Sequence, residues 1–172
     1  MSEKIIVTYA TCTGSTGQVA EVIGKTLADS GLKVEMLPMA QVKSLTPYRA
    51  VVAGSAIQSN QWLPEAVQFV RANRAELSRK PFAAFLVCLT LAMRNGENYR
   101  PQVAEYLAPV RALVRTVSEG HFAGVLDIAK IPFFSKRLQF RLSVLFGVWT
   151  EGDHRDWYAI RAWAASLPPL LR

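Results

Sequence analysis

Tyr9-Ala10-Thr11-Cys12-Thr13-Gly14-Ser15-Thr16-Gly17 stands between an apolar run and a helical one, and its reading decides the fold. Upstream, Lys4-Ile5-Ile6-Val7-Thr8-Tyr9 is short, β-branched and bounded by polar residues, the pattern of a buried strand. Downstream, Val19, Val22, Ile23 and Leu27 recur at helical spacing and leave Glu21, Lys25 and Asp29 for other faces. The segment therefore predicts strand, hydroxyl-rich turn, helix. A helix that begins there directs its free N–H groups and the positive end of its dipole into the turn. Thr11, Thr13, Ser15 and Thr16 add side-chain donors, and Gly14 lets the backbone approach a ligand closely. Such a turn is either a phosphate cradle or simply a turn with an N-cap.

What the turn lacks narrows the ligand. No Gly-Lys-Ser/Thr is present to set a lysine beside a triphosphate and a hydroxyl on magnesium, which argues against a P-loop NTPase. No Gly-x-Gly-x-x-Gly follows the strand, so the dinucleotide fingerprint fails as well. Amides and hydroxyls without a cation suit one terminal phosphate monoester, and FMN is the common ligand of that kind.

The 172 residues, 51% hydrophobic, fit one compact domain spanning 1–172. No uninterrupted apolar run reaches the roughly 18 residues of a membrane span. Met1-Ser2-Glu3-Lys4 leads straight into a strand without the apolar core of a signal peptide. The 2 cysteines, Cys12 and Cys88, give neither a disulfide framework nor metal-ligand spacing, and the 2 histidines, His121 and His154, are too scattered to ligate a metal. Cys88 fits a small buried hydrophobe; Cys12 is either partly activated by the helix N-terminus or a bystander. A cytoplasmic location is expected. The net charge of +7 and pI of 9.7 are compatible with an acidic protein, an anionic membrane face or nucleic acid as partner, and charge alone does not choose among them. No zinc finger, RNP-type strand or GXXG clamp supports nucleic acid, which is not expected to bind.

Further strands are predicted at Leu32–Leu37, Ala50–Ser55, Phe82–Leu89 and Phe122–Leu126, with a short helix or turn between Ala40 and Leu45. Between them run a helix from Pro64 to about Leu77 and another after Arg100-Pro101; a last one, capped by Asp153 or Asp156, carries Trp157, Ile160, Trp163 and Leu167. Strands alternating with helices imply an α/β doubly wound parallel sheet with right-handed crossovers. Ligands of such sheets sit beyond the carboxyl ends of the strands, at the switch point.

Thr11-x-Thr13-Gly14-Ser15-Thr16 resembles the phosphate loop of the flavodoxin-like family. Gly54-Ser55-Ala56-Ile57-Gln58-Ser59-Asn60-Gln61-Trp62-Leu63-Pro64-Glu65-Ala66 is similar to the second loop of its menaquinone-dependent protoporphyrinogen oxidase branch, and Leu77-Ser78-Arg79-Lys80-Pro81 and Phe85–Leu89 continue the similarity. The resemblance covers nearly the whole chain. It implies a five-stranded sheet in the order 2-1-3-4-5, helices on both faces, a helical insert near the last strand, and FMN at the switch point. Carried onto this chain, the cofactor-binding residues are Thr11, Cys12, Thr13, Gly14, Ser15 and Thr16 for the phosphate, with Ala56, Ile57, Gln58, Ser59, Trp62, Thr90, Leu91 and Ala92 around the ring. Trp62 and Tyr99 are the aromatics available to bracket it; Trp62 reads equally as a packing anchor at a helix start. The chain departs from that branch at Ile57-Gln58-Ser59-Asn60, where the oxidases carry Ile-Arg-Tyr-Gly. It also departs from the acidic electron carriers of the family by being basic.

The insert from Lys130 to Trp149 has Lys130, Lys136, Arg137 and Arg141 as its charged residues, all basic. Helical spacing sets Phe134, Leu138, Leu142 and Leu145 on one side. Such a helix lies at an anionic membrane surface beside a lipid-soluble quinone, or packs as a core or homodimer helix. The expected function is an FMN-dependent oxidoreductase with a porphyrinogen or quinone substrate, peripheral at the inner face of the membrane. The alternatives are an electron-transfer protein serving a redox protein partner and a flavin-free binding or regulatory module. No residue stands out as catalytic; Arg94 and Arg100 are candidates to attract substrate carboxylates or are solvated surface cations.

Overall fold

The computed structural model describes residues 4–172; the N-terminal Met1-Ser2-Glu3 of the leader reading lies outside the described residues. Strand β1 (Lys4–Ala10) leads through the hydroxyl-rich turn into α1 (Ser15–Asp29), which Gly31 ends at φ 86°. β2 (Lys33–Pro38) and β3 (Tyr48–Gln58) flank β1, both parallel to it. β3 then reverses into a two-residue strand, β4 (Gln61–Trp62), before α2 (Pro64–Ala72) and α3 (Arg74–Leu77). β5 (Phe82–Cys88) is buried at every position, as a central strand covered on both faces must be. After α4 (Arg100–Ala104) and α5 (Ala108–Arg111), β6 (Ser118–Ala123) completes a five-stranded parallel sheet in the order β2-β1-β3-β5-β6.

Strand periodicity sends alternate side chains to opposite layers. Ile6, Val51 and Leu86 meet Phe69, Val70, Leu107 and Val110 on the side of α2, α4 and α5. Ile5, Val52 and Phe85 meet Val19, Ile23 and Leu27 of α1 on the other side, together with Ile160 and Ala164 of α7 (Trp157–Ser166). Gly54 is required here because a Cβ would lie 2.0 Å from the Phe85 ring, which crosses β3 at that point.

The observed elements correct the expected ones in specific places. β3 runs on to Gln58 because Ser59 and Asn60 both adopt positive φ, 52° and 61°, and close a tight hairpin. The helix expected from Pro64 to Leu77 breaks at Asn73, whose side-chain amide donates back to the Phe69 carbonyl at 2.9 Å. The helix after Pro101 is interrupted at 105–107, where Pro109 has no N–H to offer the Glu105 carbonyl. The last strand of the sheet begins at Ser118, four positions before the apolar stretch suggested, and Gly124 ends it. Val125–Leu126 form instead β7, paired antiparallel with β8 (Gly152–Asp153). This ribbon brackets the insert. Within it α6 (Phe134–Leu145) has no buried residue, so it is not a core helix. Among the described residues no helix is long and apolar enough to cross a membrane.

Candidate functional site

A cavity of about 430 Å³ opens beyond the carboxyl ends of β1, β3, β5 and β6, within the usual size range of small-molecule sites. One end is polar. Gly14 caps α1 at φ 94°, a conformation that favours glycine, and its N–H donates to Thr11 Oγ1 at 3.0 Å. Gln18 N–H reaches the Gly14 carbonyl at 3.3 Å, while the amides of Ser15, Thr16 and Gly17 meet no acceptor among the described residues. Cys12, Thr13, Gly14, Ser15 and Thr16 line this end. The Thr16 hydroxyl is fully buried and has no hydrogen-bond partner among the described residues. A buried hydroxyl left unpaired costs about 1–3 kcal/mol, which an anionic oxygen in the cavity would relieve. Thr8 Oγ1 and Trp62 Nε1 are also unpaired, but neither residue lines the cavity. Orphan amides, orphan hydroxyl and helix dipole together fit a phosphate.

The remaining walls are apolar apart from Asp127 and Lys130. Ala56 and Ile57 at the end of β3, Val87 and Leu89 around the end of β5, and Ile131 and Phe140 of the insert face the same space. A ligand with a phosphate at one end and a flat apolar body at the other matches both halves.

Arg155 closes the polar end, a cation the sequence reading did not place there. Its side chain is only 7% exposed and lines the cavity. Nε donates to Asp153 Oδ1 at 2.8 Å and Nη2 to Asp153 Oδ2 at 2.6 Å, while Nη1 donates to Gln18 Oε1 at 2.6 Å and to the Ser15 carbonyl at 3.3 Å. The guanidinium also lies 4.3 Å from the Trp157 ring centroid. This bonding holds the Asp153 carboxyl below its ordinary range, and Asp156, not Asp153, caps α7 by accepting the Ala159 N–H at 2.9 Å. Lys130 and Asp127, paired at 3.2 Å, line the cavity as well. Arg155 and Ser15 stand 140 positions apart, so no spacing rule connects them.

Several expected contacts lie elsewhere. Thr11 faces a separate cavity beside Met39 and Phe69. Gln58 and Ser59 are exposed at the β3–β4 hairpin, outside the main cavity. Trp62 is fully buried in the core and brackets nothing there, because β4 turns it back beneath the sheet. The Thr90 N–H donates to Cys88 Sγ at 3.3 Å; Leu91 and Ala92 are buried, and it is Leu89 that reaches the main cavity. Ala92 lines a second cavity of about 420 Å³ with Met93, Arg94, Trp149 and His154. Phe140 of the first cavity and Trp149 of the second are in edge contact, centroids 5.9 Å apart. Tyr99 lines neither cavity. Arg100 is held by Glu97, with Nη2 2.9 Å from Oε1, whereas Arg94 has no partner among the described residues. Partial burial and the Glu65 carboxylate push the Cys12 thiol up, against a smaller opposing pull from Lys136.

A family model described as "Flavodoxin domain" matches residues 6–143. A protoporphyrinogen IX dehydrogenase [quinone] of Leishmania major is 27% identical to the chain, over 98% of this chain and 76% of its own. Among solved structures, a flavodoxin from the domain Archaea superposes with a TM-score of 0.58 at 19% identity, covering 98% of both chains. A Streptococcus pneumoniae TIGR4 flavodoxin superposes with a TM-score of 0.59 at 15% identity, covering 96% of this chain and 98% of its own.

Proposed function

Since this chain belongs to the flavodoxin-domain family, we propose that it is an FMN-binding oxidoreductase that oxidises a porphyrinogen-type donor and reduces a quinone at a membrane surface. The observation that carries the cofactor is the buried Thr16 hydroxyl, unpartnered among the described residues, beside the free α1 amides, at one end of a cavity whose other walls are mostly apolar. In the bound state Thr13, Ser15 and Thr16 hold the phosphate with their hydroxyls and the α1 amides, and the backbone at Gly14 admits it closely. Ile57, Leu89 and Phe140 flank the ring and keep water from it. When bound, FMN supplies reversible hydride and electron transfer, and the protein supplies orientation and electrostatics.

The donor class rests on the relative's name, which says only what that protein acts on. The arginine-tyrosine pair expected for porphyrinogen is absent from the β3–β4 hairpin. Arg94, unpaired and lining the second cavity with Trp149, offers a carboxylate-bearing aromatic molecule both a cation and an apolar face. The acceptor class rests on α6. Phe134 is 78% and Leu145 77% exposed, Leu138 and Leu142 lie between them, and Lys136 and Arg141 flank the stripe. An exposed apolar stripe with cations suits an anionic lipid surface, where a quinone dissolves.

The test is the visible spectrum of the purified protein after FMN is added and the excess removed, followed by a quinone-dependent porphyrinogen assay with vesicles. Bound flavin and turnover are expected. Bound flavin without turnover would leave the electron-transfer alternative, and no flavin at high micromolar FMN would remove both redox readings.

A further inference from the structure

The phosphate end of the cavity differs from a cradle built of hydroxyls and amides alone, because a cation is fixed inside it. The Arg155 guanidinium is held from three sides: Asp153 on the β7–β8 ribbon, Gln18 and the Ser15 carbonyl on α1, and the Trp157 ring at the start of α7. These bonds leave one N–H of Nη2 without a partner among the described residues. The two charges of the Arg155–Asp153 pair are not equally placed. The Arg155 side chain is 7% exposed, whereas that of Asp153 is 44% exposed. Solvent therefore screens the carboxylate more than the guanidinium, which favours an anion beside the α1 amides. The charge of the guanidinium is permanent, and the one spare N–H can serve a single phosphate oxygen.

We propose that Arg155 sets the selectivity of this site for a flavin bearing a terminal phosphate ester over the same flavin without one. The proposal rests on the flavin reading above. Arg155 contributes nothing to the ring, which the apolar walls take up, and acts on the phosphate alone through its charge and its spare donor. A flavin dianion gains from it and neutral riboflavin does not.

The competing account is a structural brace, in which Arg155 only ties the ribbon to α1. The two accounts differ in sign at Asp153. Dissociation constants for FMN and for riboflavin are measured by fluorescence titration on the wild-type protein, Arg155→Met and Asp153→Asn. Arg155→Met should weaken FMN roughly tenfold or more and leave riboflavin within about twofold. Asp153→Asn, which removes the counter-charge and keeps the guanidinium, should bind FMN at least as tightly as the wild type. Equal losses for both flavins in Arg155→Met, or weakened FMN in Asp153→Asn, would establish the brace and overturn the proposal. Should Arg155→Met fail to fold, Asp153→Asn decides alone. Wild-type protein that binds riboflavin as tightly as FMN overturns this inference while the flavin reading stands; binding of neither flavin removes both.

Discussion

Replacing Thr16 by valine separates what the site costs the fold from what it gives the ligand. Thr16 is fully buried in the first turn of α1, and its Oγ1 has no partner among the described residues. Valine keeps the shape, puts a methyl where the hydroxyl was, and has nearly the same helix propensity. The FMN-free protein should therefore gain about 1–3 kcal/mol, the penalty of the unpaired hydroxyl. For a chain of this length that is a rise in Tm of about 2–4 °C per kcal/mol. FMN binding should move the other way. A hydroxyl bond to a charged phosphate is worth about 1.5–3 kcal/mol, so the Kd should rise roughly 10- to 150-fold. Urea or thermal unfolding of the FMN-free proteins gives the first number, and fluorescence titration with FMN the second. A less stable Thr16→Val protein would mean that the hydroxyl has an internal partner. A more stable one with unchanged FMN affinity would mean that the hydroxyl does not meet the phosphate.

Other expectations follow from the same geometry. Lys136→Gln with Arg141→Gln should weaken cosedimentation with phosphatidylserine vesicles by roughly 30-fold, at about 1 kcal/mol per cation; unchanged partitioning would refute the membrane role of α6. Arg94→Met should raise KM for a dicarboxylate porphyrinogen with kcat and FMN affinity little changed, and a lowered kcat at constant KM would contradict the second-cavity assignment. His121 on β6 is held below its ordinary value of 6.5, chiefly by burial, with Arg100 and Arg111 adding to the shift and Glu119 opposing it. The unfolded chain then binds the proton more readily, so stability is complete above about pH 6.5 and falls as pH drops towards the folded value. Urea unfolding at pH 7.5 and 5.5 measures this. His121→Gln should flatten the slope, and a wild-type protein more stable at pH 5.5 would show the sign to be wrong.

The central strands and the strand–turn–helix start of the chain were legible because their signals are local. β5 is a continuous apolar run, and its complete burial follows from that composition. Gly14 followed by Ser15 and Thr16 sets a helix start with free amides wherever the chain goes afterwards. The edge strand β6 was harder, because only Gly120 and Phe122 of Ser118–Ala123 are buried and the polar residues around them mask the run. The β3–β4 hairpin was missed for a similar reason. Its turn uses Ser59-Asn60 at positive φ without the glycine that ordinarily signals one. That one turn moves Gln58 and Ser59 to the surface and Trp62 into the core.

The sequence by itself determined the alternation of strands and helices, the hydroxyl-rich turn before α1, the family and the cationic insert, all encoded in spacings of a few residues. Only the tertiary structure decided which side chains share a cavity. Arg155 meets Ser15 across 140 positions because the β7–β8 ribbon returns the chain to the start of α1. Phe140 faces inward from a helix whose Phe134 and Leu145 face outward, a division that depends on where the ribbon sets α6 against the sheet. Periodicity fixes which residues share a face of one element. The order in which the sheet brings distant elements together fixes what that face meets.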